Sequence, residues 1–298
     1  MQFDTLKPII LIPIHNRKGV TLTCLKQLKN QGDIDSCQVV IIDDGSTDGT
    51  SEAVKAQYPQ IHIIEGHKNL WWTGAIELGM RYAYSKGTEY ILWLNDDTIP
   101  ASKTIKKLLD FCYRNPKSIA ASQCYFNGSF TYGGQLRKKL HQEFVYAAFE
   151  EVVNCDALDG NLVCLPRSVI DQIGYPLGRA VPHYGGDNLY TWTAKKSGYQ
   201  LCLLGYATAT CPRDHVQESW SLDSKSVWSY WKIMLSPKSP FYIRGYFQFC
   251  FRYWGIRGII PFMKPYLRLT IITILRLMFS RSCIKFVKEL CNSFKVIR

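Results

Sequence analysis

The sequence lacks several features that would place a chain quickly. It has eleven cysteines but no CxxC pair. An odd, scattered set excludes a complete disulfide framework and offers no zinc-ligand spacing, so reduced, buried thiols are expected, as suits a cytosolic protein. The start, MQFDTLKP, has neither the basic residues nor the apolar run of a secretory leader, and a cytoplasmic location is expected from it. No internal repeat or low-complexity segment interrupts the chain. No uncharged apolar run approaches the ~18–20 residues that span a bilayer. In the basic tail the longest, at 269–275, has seven.

Acidic residues are almost missing from the C-terminal part. From Lys232 to Arg298 thirteen Lys or Arg accompany one acid, Glu289, so this stretch carries the whole net charge of +12. The first 231 residues are neutral. The partner of this excess charge is therefore expected to be met by the tail. What remains is ordinary for a globular chain: 298 residues, 47% hydrophobic and 20% charged, enough for one large domain with an appendage.

Apolar runs at 9–14, 39–42, 61–64, 90–94 and 119–126 read as strands, and the stretches 20–30, 51–58, 74–84 and 102–113 read as helices. Near-continuous apolar strands alternating with helices predict an α/β fold, a mostly parallel sheet with helices on both faces. Beyond 127 the pattern loosens. Strands are expected again at 160–166 and 199–207, with a helix at 187–197 between them. A composition shift near 221–231 divides the chain into a catalytic domain, 1–225, and a basic, aromatic-rich helical region, 226–298.

Ligands bind beyond the carboxyl ends of parallel strands, and here those ends are polar. The first runs into Pro13-Ile14-His15-Asn16-Arg17 and the second into Asp43-Asp44-Gly45-Ser46-Thr47-Asp48-Gly49. The third leads to His67-Lys68-Asn69, and the fourth, YILWLNDDTIP, to Asn95-Asp96-Asp97. Two like charges closing a run built for burial imply a cation between them or exposure to water. Adjacent carboxylate oxygens at a strand end suit Mg²⁺ or Mn²⁺, with water and a diphosphate completing the shell. Asp44 is placed to accept hydrogen bonds from a base or a ribose.

ILIPIHNR, VVIIDDGSTDGT, the stretch from Asn69 to Gly79, and LNDDT, in this order and spacing, resemble a family 2 glycosyltransferase with the GT-A (Rossmann-like) fold. The likeness extends over roughly residues 7–220. It implies that Pro13, His15 and Arg17 line a nucleotide pocket and that Asp44 contacts the nucleobase. It also implies that Asn69, Trp71, Trp72 and Gly74 belong to the donor-binding stretch. The family often has glycine where Trp71 stands. Asn95-Asp96-Asp97 matches the acidic metal motif, with Asp97 the direct ligand and Asn95 and Asp96 beside the ribose or diphosphate. HYGGDNLYTW matches an acidic motif at the start of a helix, where Glu-Asp is usual and Gly186-Asp187 stands here. The general base then falls on Asp187. Asp159-Gly160 matches an acceptor-side segment, and His215 a position where relatives place a histidine near the metal.

The expected activity is transfer of a sugar, with inversion, from a nucleotide-diphospho-sugar to a hydroxyl of a saccharide or lipid-linked saccharide. The resemblance points to bacterial surface-polysaccharide assembly, as in rhamnosyltransferase-like enzymes. Two other enzyme readings are weaker. A sugar-nucleotide pyrophosphorylase would show a glycine-rich phosphate loop, which PIHNRKG is not. A dehalogenase-type phosphatase needs a nucleophilic aspartate at Asn95. A non-catalytic nucleotide-binding membrane protein is the third alternative. The tail, FYIRGYFQFCFRYWGIRGIIPFMKPYLRL and onward, sets basic residues among aromatic and aliphatic ones, as in helices lying in the headgroup layer. It predicts peripheral attachment to an anionic cytoplasmic membrane face and no nucleic-acid partner.

Overall fold

The first strand, β1 (Ile9–Ile14), is apolar at every position, so both of its faces need cover. A computed structural model describes residues 6–212 and 226–278. It shows how that cover is built. After β1 come α1 (Lys18–Asn30), α2 (Asp33–Ser36), β2 (Gln38–Asp43), α3 (Thr50–Gln57), β3 (His62–Glu65), α4 (Trp71–Ser85) and β4 (Tyr90–Leu94). β5 (Ile99–Pro100), α5 (Thr104–Arg114) and the long β6 (Ser118–Phe126) follow. Short strands succeed them: β7 (Ser129–Tyr132), β8 (Gly134–Arg137), β9 (Gln142–Val145), β10 (Val152–Asn154) and β11 (Ala157–Leu158). None of these is visible in the sequence pattern. β12 (Leu162–Pro166), α6 (Ser168–Ile173), α7 (Gly186–Lys196) and β13 (Gln200–Thr210) complete the unit Met1–Arg213.

The main sheet has the order β10-β13-β6-β12-β4-β1-β2-β3. β1 pairs in parallel with β2 and β4, β2 with β3, and β13 with β6, while β12 runs antiparallel between β4 and β6. Six strands thus share one direction in an α/β fold of the expected class. β8, β9 and β11 form a separate antiparallel sheet. Alternate residues of each strand serve opposite faces. Ile10, Ile12, Ile41, Leu92 and Leu94 join the core under α1, α3 and α5. Ile9, Leu11, Val40, Ile42, Ile91 and Trp93 join the core under α4 and α7. The approach of α4 is close: a Cβ on Gly79 would fall 2.8 Å from Ile42 Cδ1. All nine described cysteines are buried and unbridged, as their scatter predicts.

Because β1 lies between β2 and β4, the chain reverses its direction of travel across the sheet there. Crevices open at such points, beyond the carboxyl ends of the strands. The loops after β1, β2 and β4 all reach that rim.

The second unit, Asp214–Arg298, shows α8 (Val227–Met234), α9 (Ile243–Trp254), a 3-10 turn at Gly255–Gly258 and α10 (Ile259–Met278). Its own small core holds Tyr230, Met234 and Leu269, with Trp231, Phe241 and Tyr266 against them. Trp231 Nε1–H donates to Thr273 Oγ1 at 3.0 Å, joining α8 to α10. By length and composition Ile243–Met278 is long and apolar enough to cross a membrane, and little of its most apolar window (17%) is buried. Uncharged runs do not reveal this, because Lys and Arg punctuate the apolar residues.

Candidate active site

The two carboxylates after β4 do have a cation between them, and it belongs to the chain. The Arg17 guanidinium reaches Asp96 Oδ1 at 3.1 Å and Asp97 Oδ2 at 3.0 Å. Thr21, one turn into α1, donates from Oγ1 to Asp96 Oδ2 at 3.0 Å. Both oxygens of Asp96 are therefore engaged, and its side chain is only 3% exposed, against 18% for Asp97. Burial pushes the Asp96 carboxyl up to about 6, with Arg17 pulling it down and Asp97 pushing it further up. Asp97 is the accessible member. The Cys211 thiol lies 3.8 Å from its Oδ1, and Asn161 Nδ2–H donates to that sulfur at 3.2 Å.

Among the described residues no cluster of three His, Cys, Asp or Glu could hold a metal. The chain offers an exposed carboxylate beside a buried one. That donor set fits a Mg²⁺- or Mn²⁺-type ion which takes its remaining oxygens from phosphate and water, and it does not fit a closed structural metal site. His215 lies outside the described residues.

Asp44 performs two tasks with its two oxygens. Leu70 N–H and Trp71 N–H donate to Oδ2 at 2.9 and 3.0 Å, so a residue from the β2 loop caps the start of α4. Oδ1 is buried and meets no donor among the described residues. A buried carboxylate oxygen without a donor is costly, which marks it as an acceptor for something the site receives. His15, exposed, places Nδ1 3.0 Å from the Asp44 backbone oxygen. Asp43 and Asp48 hold the loop itself. Asp43 accepts from Ser46 N–H and Ser51 Oγ–H, while Asp48 accepts from Thr50 Oγ1–H, Lys18 N–H and Thr50 N–H. Those hydrogen bonds hold the exposed Asp48 carboxyl below its usual range. Pro13, next to last in β1, is half-buried, and Asn69 is exposed on the loop before α4.

The two adjacent tryptophans part company. Trp72 turns inward: its Nε1–H donates to Asn95 Oδ1 at 2.7 Å and its ring stands edge-on to Trp93, centroids 5.6 Å apart. The Asn95 carbonyl oxygen is thereby committed, and Trp72 serves as a brace between α4 and β4. Trp71 has φ +55°, the left-handed region that favours glycine. This explains the glycine found there in the resembled family. For a bulky residue the conformation costs on the order of 1–3 kcal/mol. The Asp44 clamp holds Trp71 from one side. Its ring meets the His183 ring on the other, at 5.9 Å between centroids. Gly74 belongs to packing: a Cβ on Gly178 would fall 2.6 Å from the Gly74 Cα.

Asp187 stands in the first turn of α7, whose N-cap is Gly185 at φ +79°. It accepts from Gly160 N–H at 2.7 Å and Asn188 N–H at 2.8 Å. Burial, and then the nearby Asp159 charge, push its carboxyl up to about 7. Asp159 is itself occupied, accepting from Gly133 N–H at 3.0 Å, from Gln135 Nε2–H and from Asn188 Nδ2–H at 3.2 Å. A Cβ on Gly160 would lie 2.4 Å from the Trp72 ring and 3.1 Å from Asp187 Cβ, so only glycine lets these three meet. The single carboxylate of this motif also has a steric cause. A Cβ on Gly186 would fall 2.0 Å from Thr73 Oγ1, which leaves no room for the glutamate usual at that position.

The structure therefore brings the expected residues into three connected groups: Arg17 with Asp96 and Asp97; Asp44 with His15 and Trp71; Asn95 with Trp72 and Asp187. Thr21, His183, Asn161 and Cys211 are additions that the sequence did not single out. Thr21 and Asn161 have no distinctive signal, and His183 is a lone histidine in a loop.

Residues 9–171, more than half of the chain, match the model of the family described as Glycosyl transferase family 2. The chain belongs to glycosyl transferase family 2. The matched segment takes in the rim after β1, β2 and β4 and ends before α7. Over 204 residues the chain is 24% identical to the uncharacterized protein Rv1525 of Mycobacterium tuberculosis, covering 65% of this chain and 69% of that one. Its backbone is similar to that of GalNAc-T7, crystallised with UDP, GalNAc and Mn²⁺ (TM-score 0.60, 14% identity), over 78% of this chain and 48% of the other. It is also similar to the mannosyltransferase PcManGT from Pyrobaculum calidifontis, in complex with GDP-Man and Mn²⁺ (TM-score 0.54, 15% identity, 96% and 79% covered). A third likeness is to S. aureus TarS 1–349 with UDP-GlcNAc (TM-score 0.54, 16% identity, 84% and 73% covered). The chain spans about half of the length of GalNAc-T7. At these identities the likenesses show the fold, which is the GT-A arrangement.

Proposed function

We propose that this family 2 member transfers a glycosyl group, with inversion, from a nucleotide-diphospho-sugar to a hydroxyl of a saccharide or lipid-linked saccharide acceptor. The observation that carries the reading is the set of three carboxylates at one rim, each with a different environment: Asp44 with one oxygen unmet, Asp97 accessible, and Asp187 raised to about 7. Asp44 Oδ1 accepts an N–H of the nucleobase, and Pro13, His15 and Arg17 line the nucleotide. Asp97 holds a divalent ion, with Asp96 fixed beside it by Arg17 and Thr21, and His215 is a further candidate ligand. That the similar enzymes above bind Mn²⁺ with UDP or GDP-mannose supports this assignment. When bound, the ion supplies positive charge where negative charge gathers on a departing diphosphate. Asp187 takes the proton from the acceptor hydroxyl as its oxygen bonds to the anomeric carbon. A carboxyl near 7 suits a base at neutral pH. With one such carboxylate recognised among the described residues, single displacement is the economical mechanism.

The test is a panel of nucleotide sugars screened by thermal shift with Mn²⁺. One donor is expected to raise the melting temperature, because ligand bound only by the folded state stabilises it. No shift with any member would refute the donor reading.

The acceptor side rests on the second unit, read as a membrane-associating region. On α10, Ile260, Met263, Leu267, Ile271, Ile274 and Met278 recur every three or four residues and are all exposed. By helical period, exposed Lys264 and Arg268 stand along one flank of that stripe. Arg268 lies near the middle of α10, where a charge at the bilayer centre costs about 2.5–3.5 kcal/mol. A helix lying in the headgroup layer avoids that cost, and anionic lipid adds attraction of about 1 kcal/mol per nearby basic residue. Work on a lipid-linked saccharide at the cytoplasmic face, as in bacterial polysaccharide or O-antigen assembly, is consistent with this. Co-sedimentation with vesicles is expected to favour anionic over neutral lipid at ~0.1 M salt and to fall, without vanishing, at ~1 M as the Debye length shrinks. Leu267→Asp with Ile271→Asp is expected to remove the salt-resistant remainder. Equal binding to neutral and anionic vesicles at low salt would exclude the electrostatic part.

A further inference from the structure

A tryptophan at φ +55° is a poor choice for the backbone alone, since glycine adopts that conformation without strain. The conformation is nonetheless held from two sides. Leu70 N–H and Trp71 N–H are fixed on Asp44 Oδ2, and Thr73 N–H donates to the Pro182 oxygen at 2.9 Å. The second bond ties the start of α4 to the segment that carries His183. Thr73 Oγ1–H also reaches the His183 oxygen at 3.4 Å. The indole of Trp71 is half-buried against the His183 ring, at 5.9 Å and 54°. His183 stands against Tyr184 in turn, at 4.7 Å. Four residues later the chain reaches Asp187. Asp44 thus fixes the backbone of Trp71, and the segment leading to Asp187 meets its indole through His183. Aromatic faces stack well on the C–H faces of sugar rings, and strained residues held by their surroundings gather at ligand clamps.

We propose that the Trp71 indole, buttressed by His183, is the wall on which a pyranose ring stacks between the nucleotide and the base, and that it selects which sugar is accepted. This rests on the glycosyltransferase reading above and goes beyond it. The backbone strain is retained because the ring is used. The ring could belong to the donor or to the acceptor saccharide, and kinetics separate the two.

The experiment compares Trp71→Gly, Trp71→Ala and Trp71→Phe in the full chain. Alanine removes the indole and keeps the unfavourable φ; glycine removes both. Trp71→Gly should therefore unfold at a higher temperature than Trp71→Ala, the reverse of the order in an ordinary helix. Activity should not follow that order. Both variants should lose at least about tenfold in kcat/KM, alike, and Trp71→Phe should recover most of it. Affinity for the nucleoside diphosphate without sugar should change less than about threefold. A raised KM for the nucleotide sugar, readable as slow hydrolysis with water as acceptor, assigns the stacked ring to the donor. A raised KM for an alkyl glycoside acceptor assigns it to the acceptor.

Activity that tracks stability, with Trp71→Gly near wild type, would make Trp71 a packing residue and overturn the proposal. A parallel loss of nucleoside diphosphate affinity would overturn it too, by placing the ring at the base or phosphates. A wild-type protein that binds no nucleotide sugar refutes the glycosyltransferase reading and this proposal together.

Discussion

Replacing Asp97 by alanine is expected to abolish Mn²⁺-dependent binding of the nucleotide diphosphate and to leave the fold intact. Asp97 is the more accessible carboxylate of its pair, and its hydrogen-bond partners are Arg17 and the weakly donating thiol of the buried Cys211. Asp96, itself held by Thr21, continues to hold Arg17 in its absence. Calorimetric titration with nucleoside diphosphate, with and without Mn²⁺, checks the result against the melting temperature. Metal-dependent affinity equal to wild type would remove Asp97 from the metal shell. The matching change at Asp96 should behave differently, because it leaves Arg17 and Thr21 facing a buried gap, and its first effect should be on stability.

The second large effect is expected at Asp187. Asparagine there keeps the shape and can accept one of the two backbone N–H bonds from Gly160 and Asn188, yet it cannot take a proton. Asp187→Asn should lose at least about 100-fold in kcat while donor binding persists. Because burial raises the wild-type carboxyl to about 7, the base is protonated and idle at low pH. Wild-type kcat should therefore rise with pH and level off above about 7, and the residual rate of the variant should lack this limb. Stability gives an independent reading with a definite sign. The folded pKa lies above the unfolded value, so the native state holds the proton more tightly between about 4 and about 7. Across that window wild-type stability should fall relative to Asp187→Asn as pH rises. A variant that keeps its turnover and loses only stability would show that Asp187 merely tethers Gly160 to α7.

Part of this site is legible in the amino-acid sequence. β1, β2 and β4 announce themselves because strands covered on both faces are apolar at every position, and the polar residues that follow each strand stand out against them. The adjacency of Asp96 and Asp97 is likewise visible, and so is the choice it poses between a cation and exposure to water. That the cation is Arg17 is not, since the contact joins residues 80 apart in sequence and depends on β1 lying beside β4. The short strands from β7 to β11 leave no period to read. They have two to four residues, several of them half-exposed, and are defined by their partners. Trp71 and Trp72 are identical letters with opposite fates, decided by where the first turn of α4 begins. The missing glutamate at Gly186 can be seen in the sequence. Its cause, the hydroxyl of Thr73, requires knowing that α4 and α7 start side by side.

The two oxygens of Asp44 carry a lesson for anyone who would re-engineer base preference. One oxygen meets no donor among the described residues, and the other fixes the backbone that presents Trp71. A substitution at Asp44 intended to exchange one nucleobase for another would also release the first turn of α4, so altered base choice and altered sugar choice would arrive together. Such a variant could not be scored as a pure base-specificity mutant. Selectivity for the base is better sought beside that carboxylate, as at Gly66, with Asp44 itself left in place.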